Sequence, residues 1–204
     1  MPLKSNFKTD LKKEQQLAIL LDQYYAKNLV YYNFKRIYDR KRQFEGVDLL
    51  FTHKETGLSY AIDEKAQLDY INEDLPTFAF ELSYTKRNIL KKGWFYDPSK
   101  KTEFYALITG IYTDAPNAFT SCKITLVNRA KLINYLKSIG ITELYLKNVV
   151  NNNEKGHGKL KLKELDHRTE GYLYRSSNNK AEQPINLVLK LSFLLQNGLA
   201  KRLA

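Results

Sequence analysis

Three side chains able to handle a phosphate lie close together in the first third of the chain: Asp48, Asp63 and Lys65. Gln43-Phe44-Glu45-Gly46-Val47-Asp48 reads as a strand end closing on an acid, and residues 47–52 read as a short buried strand. Tyr60-Ala61-Ile62 is apolar and then abruptly charged, in Asp63-Glu64-Lys65-Ala66-Gln67. Between them, Thr52-His53-Lys54-Glu55-Thr56-Gly57 has the composition of a turn. A hairpin of these two strands would bring both aspartates and the lysine together. Side chains alternate faces along a strand, so Asp63, Lys65 and Gln67 project together with Ser59 and Ala61, while Tyr60, Ile62 and Glu64 point the other way.

Two carboxylates and an amine on one face suit hydrolysis of a phosphodiester. Magnesium takes only one or two protein carboxylates and keeps several waters. Asp48 and Asp63 are the expected pair, with the backbone carbonyl of Glu64 as a further hard oxygen ligand. Lys65 is expected to offset negative charge as it develops. Two carboxylates beside it oppose a lowered pKa, so charge stabilisation is preferred over a role as base.

The elements that must position these groups follow from periodicity. Leu11, Leu17, Leu20, Leu21 and Tyr24 predict a helix over 11–27, capped by Asp10 or Thr9. Residues 29–37 are aromatic and β-prone, and Lys35 to Arg42 forms a basic connection. Beyond the hairpin, residues 78–84 predict a third strand with Glu81 on its small-residue face, as a further ligand or a rim ion pair. Residues 103–109 and 121–127 predict two more strands, and Asn128 starts a helix that Gly140 ends. Residues 147–182 read as loop-like, with a short exposed strand near Leu160 and Leu162, and 184–203 as one or two helices. The expectation is one domain over 1–204, with a core at about 10–140 and a helical and loop extension at about 141–204.

Composition narrows the partners. The 204 residues carry 33 basic and 22 acidic side chains, a net charge of +11, which favours a polyanion such as nucleic acid. Lys35, Arg36, Arg40, Lys41, Arg42, Lys91 and Lys92 are the expected phosphate contacts. Trp94 reads as packing beside a basic segment rather than as a base-stacking residue. Cys122 is the single cysteine, which excludes an internal disulfide and a cysteine zinc cluster. Its apolar neighbours mark it as core. Three scattered histidines make no zinc site. No run is long and apolar enough for a membrane helix and Met1-Pro2-Leu3-Lys4 opens no signal peptide, so an intracellular, cytoplasmic setting is expected.

Gly46-Val47-Asp48 and Asp63-Glu64-Lys65 resemble the motif of the PD-(D/E)XK nuclease superfamily, which includes restriction endonucleases, archaeal-type Holliday junction resolvases and phage exonucleases. Val47 stands where the superfamily has proline, and the resemblance spans roughly residues 10–110. It implies an α/β restriction-endonuclease-like core with a central mixed β-sheet flanked by helices. It implies an endonuclease hydrolysing DNA rather than RNA, with Mg2+ as cofactor and Mn2+ as substitute. It also brings in Glu14, at the place of a glutamate on the preceding helix, and Gln67, at a polar position beside the site. DNA is the expected partner, no membrane is, and a homodimer stays open. Two other readings compete: a nucleic-acid-binding protein of the same fold without cleavage, and a structural or interaction protein of a phage or mobile element.

Overall fold

The computed structural model describes residues 7–87, 89–115, 118–153, 156–176 and 182–204. In chain order the elements are α1 (Phe7–Asn28), β1 (Tyr32–Arg36), α2 (Arg40–Phe44), β2 (Leu49–His53), β3 (Ser59–Ala66), β4 (Thr77–Lys86), β5 (Ile89–Lys92), β6 (Phe104–Ala115), β7 (Ala118–Asn128), α3 (Arg129–Ser138), α4 (Glu143–Asn151), β8 (Gly158–Leu160), β9 (Gly171–Arg175), β10 (Glu182–Lys190), α5 (Leu191–Gln196) and β11 (Ala200–Arg202). The fold is mixed α/β with few helices. Among the described residues, no helix is long and apolar enough to cross a membrane. The N-terminal Met1-Pro2-Leu3-Lys4, the Leu11 side chain, Lys155 and Ser177-Asn178-Asn179 lie outside the described parts.

The chain divides into two compact units. The first joins the segment from α1 to Leu75 with Ser99–Arg129 and Ala200–Ala204. Its six strands run in the order β1-β2-β3-β6-β7-β11. The sheet is mixed: β3 and β6 are parallel, and the other neighbours are antiparallel. The expected hairpin is present, with Leu49 opposite Ile62 and Thr52 opposite Ser59. Helix α1 begins at Phe7, so Thr9 and Asp10 lie inside it rather than capping it. Leu17, Leu21 and Tyr25, each four residues after the last, bury one stripe of α1 among Leu49, Phe51, Ile62, Ala106, Ile108 and Ile124. Burial of each such side chain contributes about 2 kcal/mol. Cys122 belongs to the same core, and burial, with the nearby Glu64 charge, pushes its thiol up to about 12.

The second unit joins Pro76–Pro98 with Ala130–Leu199. Its sheet runs β5-β4-β10-β9-β8, antiparallel throughout. Phe80 and Phe95 are fully buried, and the half-buried Trp94 packs its ring 5.7 Å from Phe80, a packing contact as expected. Helix α3 follows Asn128 directly, and Gly140, at φ 87°, lies past its end.

Several expectations are corrected. The predicted third strand is real, but β4 pairs with β10 and β5, so it and Glu81 belong to the second sheet. Strand β6 takes the place beside β3. The basic segment 87–92 contains β5, and the loop-like 147–182 contains the end of α4 together with β8 and β9. Leu160 and Leu162 are buried rather than exposed. The helix expected over 184–203 is β10, then α5, then β11. Ile185, Leu187, Leu189 and Leu191 alternate with period two, and that pattern overrides the helical propensity of leucine.

Between β5 and the loop that follows, the chain crosses close over β4. A Cβ on Gly93 would meet the Glu81 carbonyl oxygen at 2.4 Å and the Leu82 carbonyl carbon at 2.7 Å. Both are backbone atoms that cannot swing aside, while Gly93 N–H donates to the Leu82 carbonyl at 2.8 Å. Gly93→Ala should therefore lower stability by about 2–4 kcal/mol, read as a shifted urea midpoint; an unshifted midpoint would contradict this crossing.

Candidate metal and nucleic-acid site

Strand β3 carries opposite chemistry on its two faces. On the face toward α1, Arg36 grips Glu64: Nη1 donates to Oε2 at 2.6 Å and Nη2 to Oε1 at 3.3 Å. Arg36 Nε donates to Asp22 Oδ1 at 2.7 Å, and the buried Tyr25 hydroxyl donates to Glu64 Oε1 at 2.7 Å. Burial alone would lower the Arg36 pKa, but the Glu64 hydrogen bonds and charge raise it above the ordinary value. Burial and Glu64 together push the Tyr25 hydroxyl well up. The network stitches α1, β1 and β3 together, and it confirms that Glu64 turns away from Asp63.

On the other face, Asp63 is 2% exposed. Lys65 Nζ donates to its Oδ1 at 2.5 Å. Thr102 Oγ1 donates to the Gly46 carbonyl at 2.8 Å and stands 3.5 Å from Asp63 Oδ2. Gly46 takes φ 77°, and a Cβ there would run into Thr102 Oγ1 at 2.3 Å. A left-handed conformation and a crowded neighbour both demand glycine at this turn.

Asp48 does not end a strand. Gln43 and Phe44 finish α2, a turn follows through Glu45 and Gly46, and Asp48 stands just before β2. Its N–H donates to the Ile62 carbonyl at 2.8 Å and its own carbonyl accepts from Ile37 N–H at 2.8 Å. Its Oδ2 accepts the Glu64 N–H at 2.8 Å, past the last ladder pair of β2 and β3. The N–H and C=O of one strand residue face the same way. The Glu64 carbonyl is therefore directed toward the side of β3 where Asp48 sits. Burial, and then the charge of Asp63, push Asp48 up to about 7, against the pull of Lys65.

This donor set fits a small hard cation: two adjacent carboxylates, one of them held back from ionising, and a carbonyl on the same side. Among the described residues no group of three or more His, Cys, Asp and Glu is gathered for a metal. Magnesium needs only one or two carboxylates.

The remaining expected residues are more dispersed. Glu14 is exposed on α1, one turn ahead of Leu17. Gln67 follows β3 and starts a 3-10 turn at Leu68–Tyr70; its N–H donates to the Ile108 carbonyl. Lys35, Arg40 and Lys41 are exposed, and Arg42 is half-buried near the turn into Asp48. Arg36 leaves the phosphate-contacting set, since its side chain is 13% exposed and committed to Glu64 and Asp22. Lys91 and Lys92 are on β5 in the second unit, where Lys92 pairs with Glu143 at 3.1 Å. Of the groups that sequence reasoning missed, Tyr25 had a signal, since it continues the four-residue spacing of Leu17 and Leu21. Thr102, 39 positions from Asp63, had none.

No family model, curated protein or solved structure matches this chain.

Two outcomes follow from the geometry. Glu64→Ala would take the bidentate partner from Arg36, leaving it Asp22 and the Ala18 carbonyl, and should cost about 3–5 kcal/mol, measurable by urea unfolding; a loss under 1 kcal/mol would show the network to be idle. Asp48 behaves in the opposite sense. Its folded pKa is raised from the ordinary 3.8 to about 7, so its contribution to stability is fully present below pH 3.8 and is lost as pH rises through 7. Asp48→Asn, which keeps the acceptor for Glu64 N–H, should match the parent near pH 4 and exceed it by about 1–3 kcal/mol at pH 8. A constant difference across that range would remove the raised pKa.

Proposed function

We propose that the chain is a metal-dependent deoxyribonuclease of the PD-(D/E)XK type, hydrolysing DNA phosphodiester bonds. The observation that carries this reading is the pairing of Asp48 with the buried Asp63 beside Lys65, on the face of β3 turned away from its structural ion pair. In this reading Asp48, Asp63 and the Glu64 carbonyl hold Mg2+. The bound ion supplies a polarised water and neutralises charge on the scissile phosphate.

The chain's own groups do the rest. Burial, and then the charge of Asp63, keeps a proton on Asp48 near neutral pH and favours its exchange for a cation. Lys65, tethered to Asp63 Oδ1, holds its ammonium beside the phosphate position and opposes the charge that grows on the phosphoryl oxygens. Thr102 and the left-handed Gly46 fix the turn that delivers Asp48. Glu14 and Gln67 are supporting residues in this reading, through the family resemblance. Exposed Lys35, Arg40 and Lys41 offer phosphate contacts that hold the DNA backbone ahead of the site.

A non-catalytic DNA-binding protein is the second reading. It is favoured by the 2.5 Å ion pair of Lys65 with Asp63, which satisfies the buried carboxylate without a metal.

Plasmid and branched DNA incubated with the protein and Mg2+ or Mn2+ should be nicked or cut. Asp63→Ala and Lys65→Ala should each lower the rate at least about 100-fold, while Lys41→Ala should change mainly affinity and flatten its salt dependence. Salt-sensitive binding without cleavage would favour the second reading. Cleavage that survives Asp63→Ala would move the active site elsewhere.

A further inference from the structure

The second unit contains a cleft that the nuclease reading does not use. Its volume is about 470 Å3, within the range of small-molecule sites. One wall is a face of the sheet. Arg175, Ile185, Ser83 and Lys92 stand opposite one another in a single row across β9, β10, β4 and β5. The ladder slips between Ile185 and Asn186, where β4 steps from Ser83 to Glu81 and leaves Leu82 over. This bulge explains why consecutive residues, Leu82 and Ser83, both reach the cleft. The facing wall is α4, whose Glu143, Leu146, Lys147 and Val150 follow helical spacing along one side.

Two polar groups at this cleft have no partner among the described residues. The Tyr96 hydroxyl is fully buried without a hydrogen bond among the described residues, while its ring lies 4.6 Å from the buried Phe95. Buried hydroxyls are normally paired, so this one marks a position for an incoming acceptor or donor. Arg175 makes no ion pair among the described residues. The acid on the wall, Glu143, is already neutralised by Lys92 at 3.1 Å and Lys147 at 3.0 Å. Among the described residues the cleft thus offers an anion a guanidinium without an ion pair.

We propose that this cleft binds a nucleoside monophosphate, its phosphate on Arg175 and its base against the leucine and valine side chains of the walls. The lining argues against a long-chain carboxylate. Hydroxyls from Ser83, Thr85 and Tyr96 and amides from Asn151 and Asn153 interrupt the apolar surface and match the heteroatoms of a base and sugar. The guanidinium matches a phosphate in geometry and charge. This site is independent of the nuclease reading, because all of its residues belong to the second unit.

The test is isothermal titration of the full chain, without divalent cations, with each of TMP, dAMP, dCMP and dGMP, and with thymidine and decanoate as controls. At least one monophosphate should bind, and Arg175→Gln should weaken it about tenfold or more, as loss of a charge-assisted hydrogen bond does. Thymidine should be weaker than TMP by a similar factor, and Tyr96→Phe should cost about threefold. Lys147→Glu, exposed on α4, should also weaken binding and covers the case in which Arg175→Gln fails to fold. Absence of heat with all four monophosphates at 5 mM (about ten times a weak site's Kd), affinity unchanged in both charge variants, or tighter binding of decanoate than of TMP would each overturn the proposal.

Discussion

The ion pair between Arg36 and Glu64 is the constraint on which the first unit's geometry turns. Both groups are largely removed from water, a state that is tolerable only when each hydrogen-bonding position is filled. Here the filling comes from three elements. Arg36 is on β1, Glu64 on β3, and Asp22, Tyr25 and the Ala18 carbonyl are on α1. The pair therefore does more than bridge two strands. It sets the rotation of α1 about its axis and the register of β3 against it, because a one-residue slip would place a carboxylate among leucines.

That same register determines what stands on the opposite face. With Glu64 committed to Arg36, Asp63 and Lys65 must project together on the other side. The face that faces α1 is held by filled hydrogen bonds; the other face keeps a strained charge balance, in which Asp48 ionises reluctantly beside Asp63. A filled hydrogen-bond network on one face of β3 thus fixes which groups meet on the other. Gly46 and Thr102 contribute to it by fixing the turn that precedes Asp48, where any side chain larger than hydrogen would collide.

The hairpin was legible because it depends on local rules: alternation of side chains, a turn-rich connection, and an abrupt change from apolar to charged residues. Strand parity separated Asp63 from Glu64 correctly without any knowledge of Arg36. The identity of the Glu64 partner was not legible, since a basic residue within the run Lys35 to Arg42 looks like one more solvated cation until β1 is paired with β2. Sheet membership was hidden for a related reason. Nothing within residues 77–86 tells that β4 will pair with β10, about a hundred positions later. The strand at β10 is hidden for a different reason, because its leucine-rich composition favours a helix while the period-two spacing of Ile185, Leu187 and Leu189 favours a strand.

The parallel pairing of β3 with β6 has a consequence for how the protein comes to be made. Antiparallel neighbours can zip from a tight turn, but parallel ones require a long crossover. Here the chain passes through β4 and β5 before returning at Phe104. Closing that loop carries an entropic cost before its contacts give anything back. The carboxylates leave the ribosome early, whereas Thr102 and the strand that flanks Asp63 emerge some forty residues later. A nascent or partly unfolded chain therefore holds the acidic residues without their frame, so Asp48 and Asp63 take up their positions only when the sheet around them is complete.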